Sequence, residues 1–567
     1  MDEIIIEKPV KASPETIGQL RKAVELPEAL LEVLVKRGVE TPEGARKFIR
    51  PDTADMHDPF LLTSMDKAVE RIIKSLQKKE IITVFGDYDV DGITATALLM
   101  KGLDGLGADV NYFLPDRLSE GYGLSEECID NIAKRGTKLI ITVDCGISSA
   151  AEVEYAAKIG IDIIITDHHE KNGPLPGASA VINPKTDENG YPFKELAGVG
   201  VALKLFQALM SGIGDMEFDF SELLALAAIG SAADIVPLKD ENRIIVRKGF
   251  EVIKNKSFTG LEALLKKLHV PLKEISTSTV IFKIAPFINS AGRMETPDCC
   301  VELLTTGNSE MAGKISGTLL TLNNKRKETD HAITKEAVSY VDNNIDLKET
   351  SVIVLASKEW HSGVIGIVAS RLAEKYNRPT IIISVNEEGT GTGSGRSIEN
   401  FHLYDAVSCC SDLLVKYGGH KYASGLTILS ENITEFRKRI NESASSYIAS
   451  GGFNKTVKPD SELTLSYVND DFFRKISLLE PFGPDNTNPV FLFKSLRLTA
   501  EPEIIGQRHL KFEVSDGKNY IFCMAFNKIH LREKILQKSS GMDIAATILR
   551  NGWKGKYTYQ LKVKGIS

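Results

Sequence analysis

The chain contains no C-x-x-C pair and no apolar run near the ~18 residues that cross a membrane. The first absence argues against zinc and dithiol sites. The seven cysteines are an odd number without paired spacing, and they read as reduced thiols rather than a disulfide frame. The second absence excludes a helical membrane protein. The opening residues MDEIIIEKPVKASPE lack the zones of a signal peptide, so a cytoplasmic protein with no membrane contact is expected. The sequence has no internal repeat and no low-complexity tract.

What is present is an ordinary globular composition, 43% hydrophobic and 26% charged. At 567 residues the chain exceeds a single core, and about three domains are expected. The net charge of −7 is unevenly spread. Residues 346–567 hold 29 Lys and Arg against 24 Asp and Glu, leaving 40 against 52 for residues 1–345. An acidic front and a mildly basic back suit a protein that holds cations in one part and a polyanion in the other.

Residues 1–80 carry helical apolar spacing, as in PEALLEVLVKRG and SMDKAVERIIKSLQKK. From 81 the pattern becomes strand–helix alternation. Apolar runs stand at IITVFG (81–86), ADVNYFLP (108–115), KLIITVD (138–144), IDIIITD (161–167) and ASAVINP (178–184). Short runs apolar on both faces, separated by helices, predict a parallel sheet covered on both sides. Helix-rich sequence follows, and the polar stretch 310–344 reads as a long helix joining two lobes. A second α/β unit starts at SVIVLAS (351–357) and includes the Gly-rich GTGTGSGR (389–396), read as a turn. Residues 446–462 read as a linker, and the alternating runs beyond it as a small β-barrel.

The chemistry lies at strand ends. The first apolar run ends in Asp87, Asp89 and Asp91, the third in Asp144, and the fourth in Asp167, His168 and His169; Asp234 follows an apolar helix. Parallel strands present their carboxyl ends on one side, where ligands bind. A single Asp after a strand is usually an N-cap, but so many at neighbouring strand ends exceed what capping explains. Carboxylates with one or two imidazoles suit Mn²⁺ or Mg²⁺, and carboxylates that can bridge suggest two ions.

GDYDVDG, TVDCGI, TDHHE and GSAADIVPL resemble, in that order, the four phosphoesterase motifs of the DHH superfamily. PDRLSEGYGLS (115–125), AGVGVALKL (197–205) and WHSGVIGIVASRL (360–372) narrow the resemblance to its single-strand-specific DNA exonucleases. GGHKYASG (418–425) is similar to the DHHA1 signature, and the tail resembles an OB-fold. The resemblance implies an α/β fold in four parts: a parallel-sheet DHH domain with N-terminal helices (1–304), a long connecting helix (305–345), a smaller α/β DHHA1 domain (346–451) and an OB-type barrel (452–567). It implies 5′→3′ hydrolysis of single-stranded DNA to 5′-mononucleotides with two Mn²⁺ or Mg²⁺ ions, in repair and recombination. Metal ligands would be Asp87, Asp89, Asp91, Asp144, His168 and Asp234, with Asp89, Asp144 and His169 central to catalysis and His169 a phosphate contact or proton donor. Asn289 and Arg293 would touch phosphate. Arg117, Ser394 and Arg396 would form a 5′-phosphate pocket, the turn's N–H groups assisting. His361, Arg371 and His420 would line the strand's groove, with a buried structural imidazole as the other reading of His420.

Three positions depart from the family pattern. Phe85 stands where a His is usual, leaving two readings: a looser ion, or Asp87 as replacement ligand. Ser290 stands for a common Ala, and Phe287 for a frequent Arg or Leu. In the tail, Lys511, Lys518, Trp553, Lys554, Lys556, Tyr557 and Tyr559 mix cations with stackable rings, as single-strand binding needs. A single-strand-binding protein and a RecQ-type helicase are implied partners of a monomer. The alternatives are a short-oligonucleotide, 3′-phosphoadenosine-phosphate or cyclic-dinucleotide phosphodiesterase and, from degenerate relatives, a replication scaffold. Removal of 452–567 is expected to spare short-oligomer cleavage if the exonuclease reading holds.

Overall fold

The computed structural model describes residues 5–116, 123–171, 173–186, 190–214, 216–449, 456–553 and 556–567. Its first sheet has strands β1 (Ile82–Gly86), β2 (Val110–Phe113), β3 (Leu139–Val143), β4 (Asp162–Thr166) and β5 (Ala180–Ile182), all parallel, in the order β2-β1-β3-β4-β5. β1 and β3 are buried along their whole length, which is why their sequences do not alternate. Val84 faces one core with Ile93 and Val199, while Phe85 faces the other with Ile129 and Ile165. The chain leaves β1 toward β2 on one side and reaches β3 on the other, so the crevice at their carboxyl ends is the switch point of the sheet.

The connecting helix is Ser309–Asn344, 36 residues or about 54 Å, close to the expected span. Glu336 accepts the Trp360 indole N–H, and Asp342 accepts the Tyr376 hydroxyl, tying the helix to the second unit. That unit's sheet comprises β6 (Ile353–Ser357), β7 (Thr380–Val385), β8 (Thr390–Arg396), β9 (Leu414–Gly419) and β10 (Ala423–Leu429) in the order β9-β10-β8-β7-β6. The Gly-rich segment read as a turn is β8, the central strand. A Cβ on Gly391, Gly393 or Gly395 would lie 2.8, 2.6 or 2.8 Å from Ile383, Leu426 or Leu403. The alternate glycines leave room for large neighbours, and the backbone N–H groups are spent on the ladder. The segment read as a linker from 446 is still helix to Ala449, and Thr456–Val457 pairs with Ile5–Ile6.

The C-terminal sheet runs from Ser461–Glu462 through Phe491–Leu498 to Lys556–Ile566 and closes where Arg497 and Leu498 pair with Ser515 and Val514, forming the expected barrel. One expectation fails here. The helices Pro14–Ala23, Glu28–Lys36 and Pro42–Ile49 share their core with this barrel: Leu20, Leu30, Leu34 and Phe48 are buried in one cluster with Phe491, Phe493, Phe512 and Val563. Arg37 pairs with buried Asp460 at 2.8 Å. Periodicity showed an apolar face but could not say which surface covers it. Buried Arg243, on the helix Asp240–Asn255, donates to the carbonyls of Phe48, Leu479 and Glu480 at 2.9–3.0 Å and stacks on the Phe48 ring. It joins the sheet unit, the first helices and the barrel. Removing 452–567 would therefore strip the core from residues 14–49. No disulfide links the seven cysteines, and among the described residues no helix is long and apolar enough to cross a membrane.

Candidate metal centre

β1 runs directly into the acidic loop. Asp89 is the N-cap of the helix Val90–Gly105, its Oδ1 accepting the N–H of Asp91 at 2.8 Å and of Gly92 at 3.3 Å. Capping and ligation are compatible here, because the second carboxylate oxygen is not needed for the cap. A Cβ on Gly92 would approach the Asp87 backbone to 2.5 Å, so this glycine lets the loop fold tightly. Asp91 turns inward and accepts N–H groups from Gly198 at 2.7 Å and Val199 at 2.9 Å. These open the helix Gly198–Ile213, which has no side-chain cap of its own, so the carboxylate meets the positive end of the helix. A Cβ on Gly198 would fall 2.7 Å from Asp144.

Asp144 leaves β3 with φ +60°, a conformation that Asp tolerates better than most residues. Its Oδ1 lies 3.1 Å from His168 Nε2; Asp234 and Asp91 oxygens lie 3.7 and 3.9 Å from the same nitrogen. Asp234 is the residue after the helix Ser221–Ala233. Potential ligand atoms fall into three overlapping groups, each spanning no more than 4.8 Å: Asp87, Asp89 and Asp144; Asp91, His168 and Asp234; Asp144, His168 and His169. Every metal ligand expected from the sequence belongs to one of them. Phe85 is fully buried and stacked on Phe113 in the core beneath the sheet.

Burial and the neighbouring Asp89 push Asp91 up to about 7, and burial with the surrounding acids raises Asp144 and Asp234 well above the carboxylate range. Burial holds His168 down at about 3, hence neutral. Its buried Nε2 makes no hydrogen bond. A neutral imidazole nitrogen among crowded carboxylates fits a hard divalent cation, which would supply the missing positive charge. Asp167 plays a different part. Its Oδ1 accepts the backbone N–H of His168 and His169 and lies 2.8 Å from His169 Nδ1, while Oδ2 accepts the Ile147 N–H. Burial works against charge on His169, but the bond to Asp167 and the charges of Asp167, Asp87 and Asp91 raise it overall.

The remaining expected residues divide. Arg293, on the helix Ala285–Met294, reaches across to donate to the Gly363 carbonyl at 2.9 Å, and His361 Nδ1 accepts the Gly363 N–H. Asn289 on the same helix keeps a buried Oδ1 without a hydrogen bond. Arg396 donates to Ser394 Oγ at 3.1 Å, and both sit against Gly366, where a Cβ would meet Ser394 Oγ at 2.9 Å. His420, in the turn between β9 and β10, is exposed, which corrects the buried reading. Partial burial of its ring and the charges of Arg396, Lys185 and His169 lower it. Arg371 is committed elsewhere: it pairs at 2.7 Å with buried Asp330 of the connecting helix, because that carboxylate needs a partner in the core. It ties the second unit to the connecting helix. Arg117 lies outside the described residues, as do Lys554 and the side chains of Trp553 and Lys556.

On the barrel, Arg550 covers the exposed Tyr557 ring at 4.4 Å, while the Tyr559 hydroxyl bonds to Asp470. Sequence reading missed Tyr520, Phe522 and Phe526, which are exposed beside Lys511 and Lys562. It named Asp167 at a strand end without seeing that it orients His169, and it gave no role to Asn183 or Lys185, although the strand-end rule that found the ligands applies equally after β5.

Three family descriptions match the chain: "DHH family, N-terminal domain" over residues 81–231, "DHHA1 domain" over 349–446 and "RecJ OB domain" over 459–565. The single-stranded-DNA-specific exonuclease RecJ of Bacillus subtilis is 37% identical over 97% of this chain and 69% of its own length. That of Escherichia coli is 34% identical over 89% of each. The crystal structure of RecJ in complex with Mn²⁺ from Thermus thermophilus superposes with a TM-score of 0.85 at 28% identity, covering 100% of this chain and 79% of that one. The complex with Mg²⁺ gives 0.78.

Proposed function

The chain belongs to the RecJ family, whose curated members are single-stranded-DNA-specific exonucleases, and we propose that it hydrolyses single-stranded DNA from the 5′ end to 5′-mononucleotides. The observation that carries the reading is the convergence of Asp87, Asp89, Asp91, Asp144, His168 and Asp234 at one sheet edge. One Mn²⁺ or Mg²⁺ is assigned to Asp87, Asp89 and Asp144 and a second to Asp91, His168 and Asp234. Asp144, which belongs both to the group with Asp87 and Asp89 and to the group with His168, would be shared between the two sites. Asp87 thereby takes the place of the imidazole lost at Phe85. When bound, the ions supply Lewis acidity and a nucleophile at neutral pH.

The protein's own groups do the rest. Asp167 occupies His169 Nδ1 and fixes the ring, leaving Nε2 to donate a hydrogen bond or a proton to the phosphoryl group. Ser394 and Arg396, with Arg117, take the 5′-phosphate. Gly366 keeps that space open. With β8 a strand, side chains rather than a nest of N–H groups make this pocket. Asn289, Arg293, His361 and His420 line the cleft, and the barrel holds the following bases by stacking on Phe522 and its neighbours. A role in repair and recombination, a cytoplasmic monomeric state, and a single-strand-binding protein and a RecQ-type helicase as partners complete the proposal. Single strands labelled at either end, with and without a 5′-phosphate, in Mn²⁺ and in Mg²⁺, test it. Mononucleotides appearing first from the 3′ label would reject the polarity, and indifference to the 5′ group would reject the pocket.

A further inference from the structure

The fifth parallel strand delivers a cation to the edge where its neighbours deliver acids. β5 runs into Asn183, Pro184 and Lys185. Asn183 is buried; its Nδ2 donates to the His169 carbonyl at 2.9 Å, and its Oδ1 accepts the Lys185 N–H at 2.9 Å. One side chain thus couples the backbone that presents His169 to the backbone that presents Lys185. The Lys185 side chain is only 20% exposed, and its Nζ lies 3.7 Å from a carboxylate oxygen of Glu170, the residue after His169. It folds over the His168–Glu170 turn instead of extending into water. Glu170 is 80% exposed, so it is a loose, solvent-screened partner that a phosphate can displace.

Charge balance says what a cation is needed for. Asp87, Asp89, Asp91, Asp144 and Asp234 together bring one more negative charge than two divalent ions offset. A phosphodiester adds another, and its transition state spreads further charge over the equatorial oxygens. His169 supplies part of the compensation. We propose that Lys185 is a further catalytic residue, contacting a non-bridging oxygen of the scissile phosphate from the end of β5. The inference rests on the exonuclease reading and deepens it. A preorganised cation at the reacting phosphate acts mainly on the transition state, so its loss should lower kcat with little change in KM.

The test is steady-state cleavage of a 5′-phosphorylated single strand at saturating Mn²⁺ by the full chain and by K185M and K185R. Expected is a fall in kcat of at least tenfold for K185M, with KM and calorimetric Mn²⁺ affinity within threefold, and a recovery of at least threefold for K185R over K185M. An unchanged Mn²⁺ affinity separates a phosphate contact from damage to the ligands. A K185M kcat within tenfold of the unsubstituted protein, or K185R no better than K185M, overturns the assignment. If Met lowers the melting midpoint, K185Q answers the same question. Activity in the unsubstituted protein with K185M intact defeats Lys185 alone, whereas no mononucleotide release by the unsubstituted protein defeats the exonuclease reading as well.

Discussion

Stripping divalent cations should make the first unit lose stability as pH rises, the reverse of ordinary acid denaturation. Asp91 is held at about 7 by burial and by Asp89, and burial with the neighbouring acids raises Asp144 and Asp234 well above the carboxylate range, whereas the unfolded chain ionises them near 4. A carboxyl whose folded pKa is raised stabilises the fold fully below its unfolded value, and that contribution is lost as pH rises through the folded value. His168, kept neutral by burial, opposes this, but only until its unfolded counterpart loses its proton near pH 6.5. Above that pH the carboxyls dominate, and the raised His169 acts in the same direction. Asp91, at about 7 in the fold, loses about 0.8 kcal/mol of its contribution between pH 6.5 and 8, and Asp144 and Asp234 add to it in the same direction. For a unit of ~250 residues, Asp91 alone lowers the melting midpoint by ~2–3 °C. Bound cations require ionised ligands, so saturating Mn²⁺ should remove the slope. Scanning fluorimetry on chelator-dialysed protein at pH 6.5, 7.2 and 8.0, with and without Mn²⁺, measures this. A metal-free midpoint that stays level or climbs would refute the reasoning.

Four other outcomes follow from the same structure. Asp144→Asn keeps a side chain that tolerates positive φ, so it should fold normally and lose at least 10³-fold in rate; activity within tenfold contradicts the bridging role. Gly366→Val should erase the preference for a 5′-phosphate over a 5′-hydroxyl end in competition assays, by pushing on Ser394 Oγ; a retained preference argues against this pocket. Phe522→Ala should weaken long single-strand binding by ~1–3 kcal/mol, read by fluorescence anisotropy, while cleavage of very short oligomers stays within twofold; equal loss on both substrates counts against barrel stacking. Arg243→Met strands the buried Phe48 carbonyl at ~1–3 kcal/mol, while the Leu479 and Glu480 carbonyls keep Asn486 and Arg247 as donors; it should lower the midpoint and let limited proteolysis release the first ~50 residues. An unchanged digestion pattern would remove Arg243 as the joint.

The ligand set was legible because parallel strands share a carboxyl edge, so Asp87, Asp144 and His168 could be gathered without coordinates. Connectivity in space was less accessible. GTGTGSGR looks like a turn because glycine permits one, and only the presence of Ile383 and Leu426 alongside makes it a strand that needs glycine. Arg371 carries no mark in the sequence of its partner Asp330, 41 positions earlier in the chain. Leu20 and Phe48 display an apolar face, but the surface that covers it lies more than 400 residues downstream.

That last distance has a consequence during synthesis. A ribosome adding about 5–20 residues per second needs roughly 20–80 s to progress from the first helices to the strands that shelter them. Through that interval Leu20, Leu30 and Phe48 lack the barrel side of their core. Helices that emerge well before the barrel are fully buried only after it, and chaperone capture of the nascent chain should concentrate there.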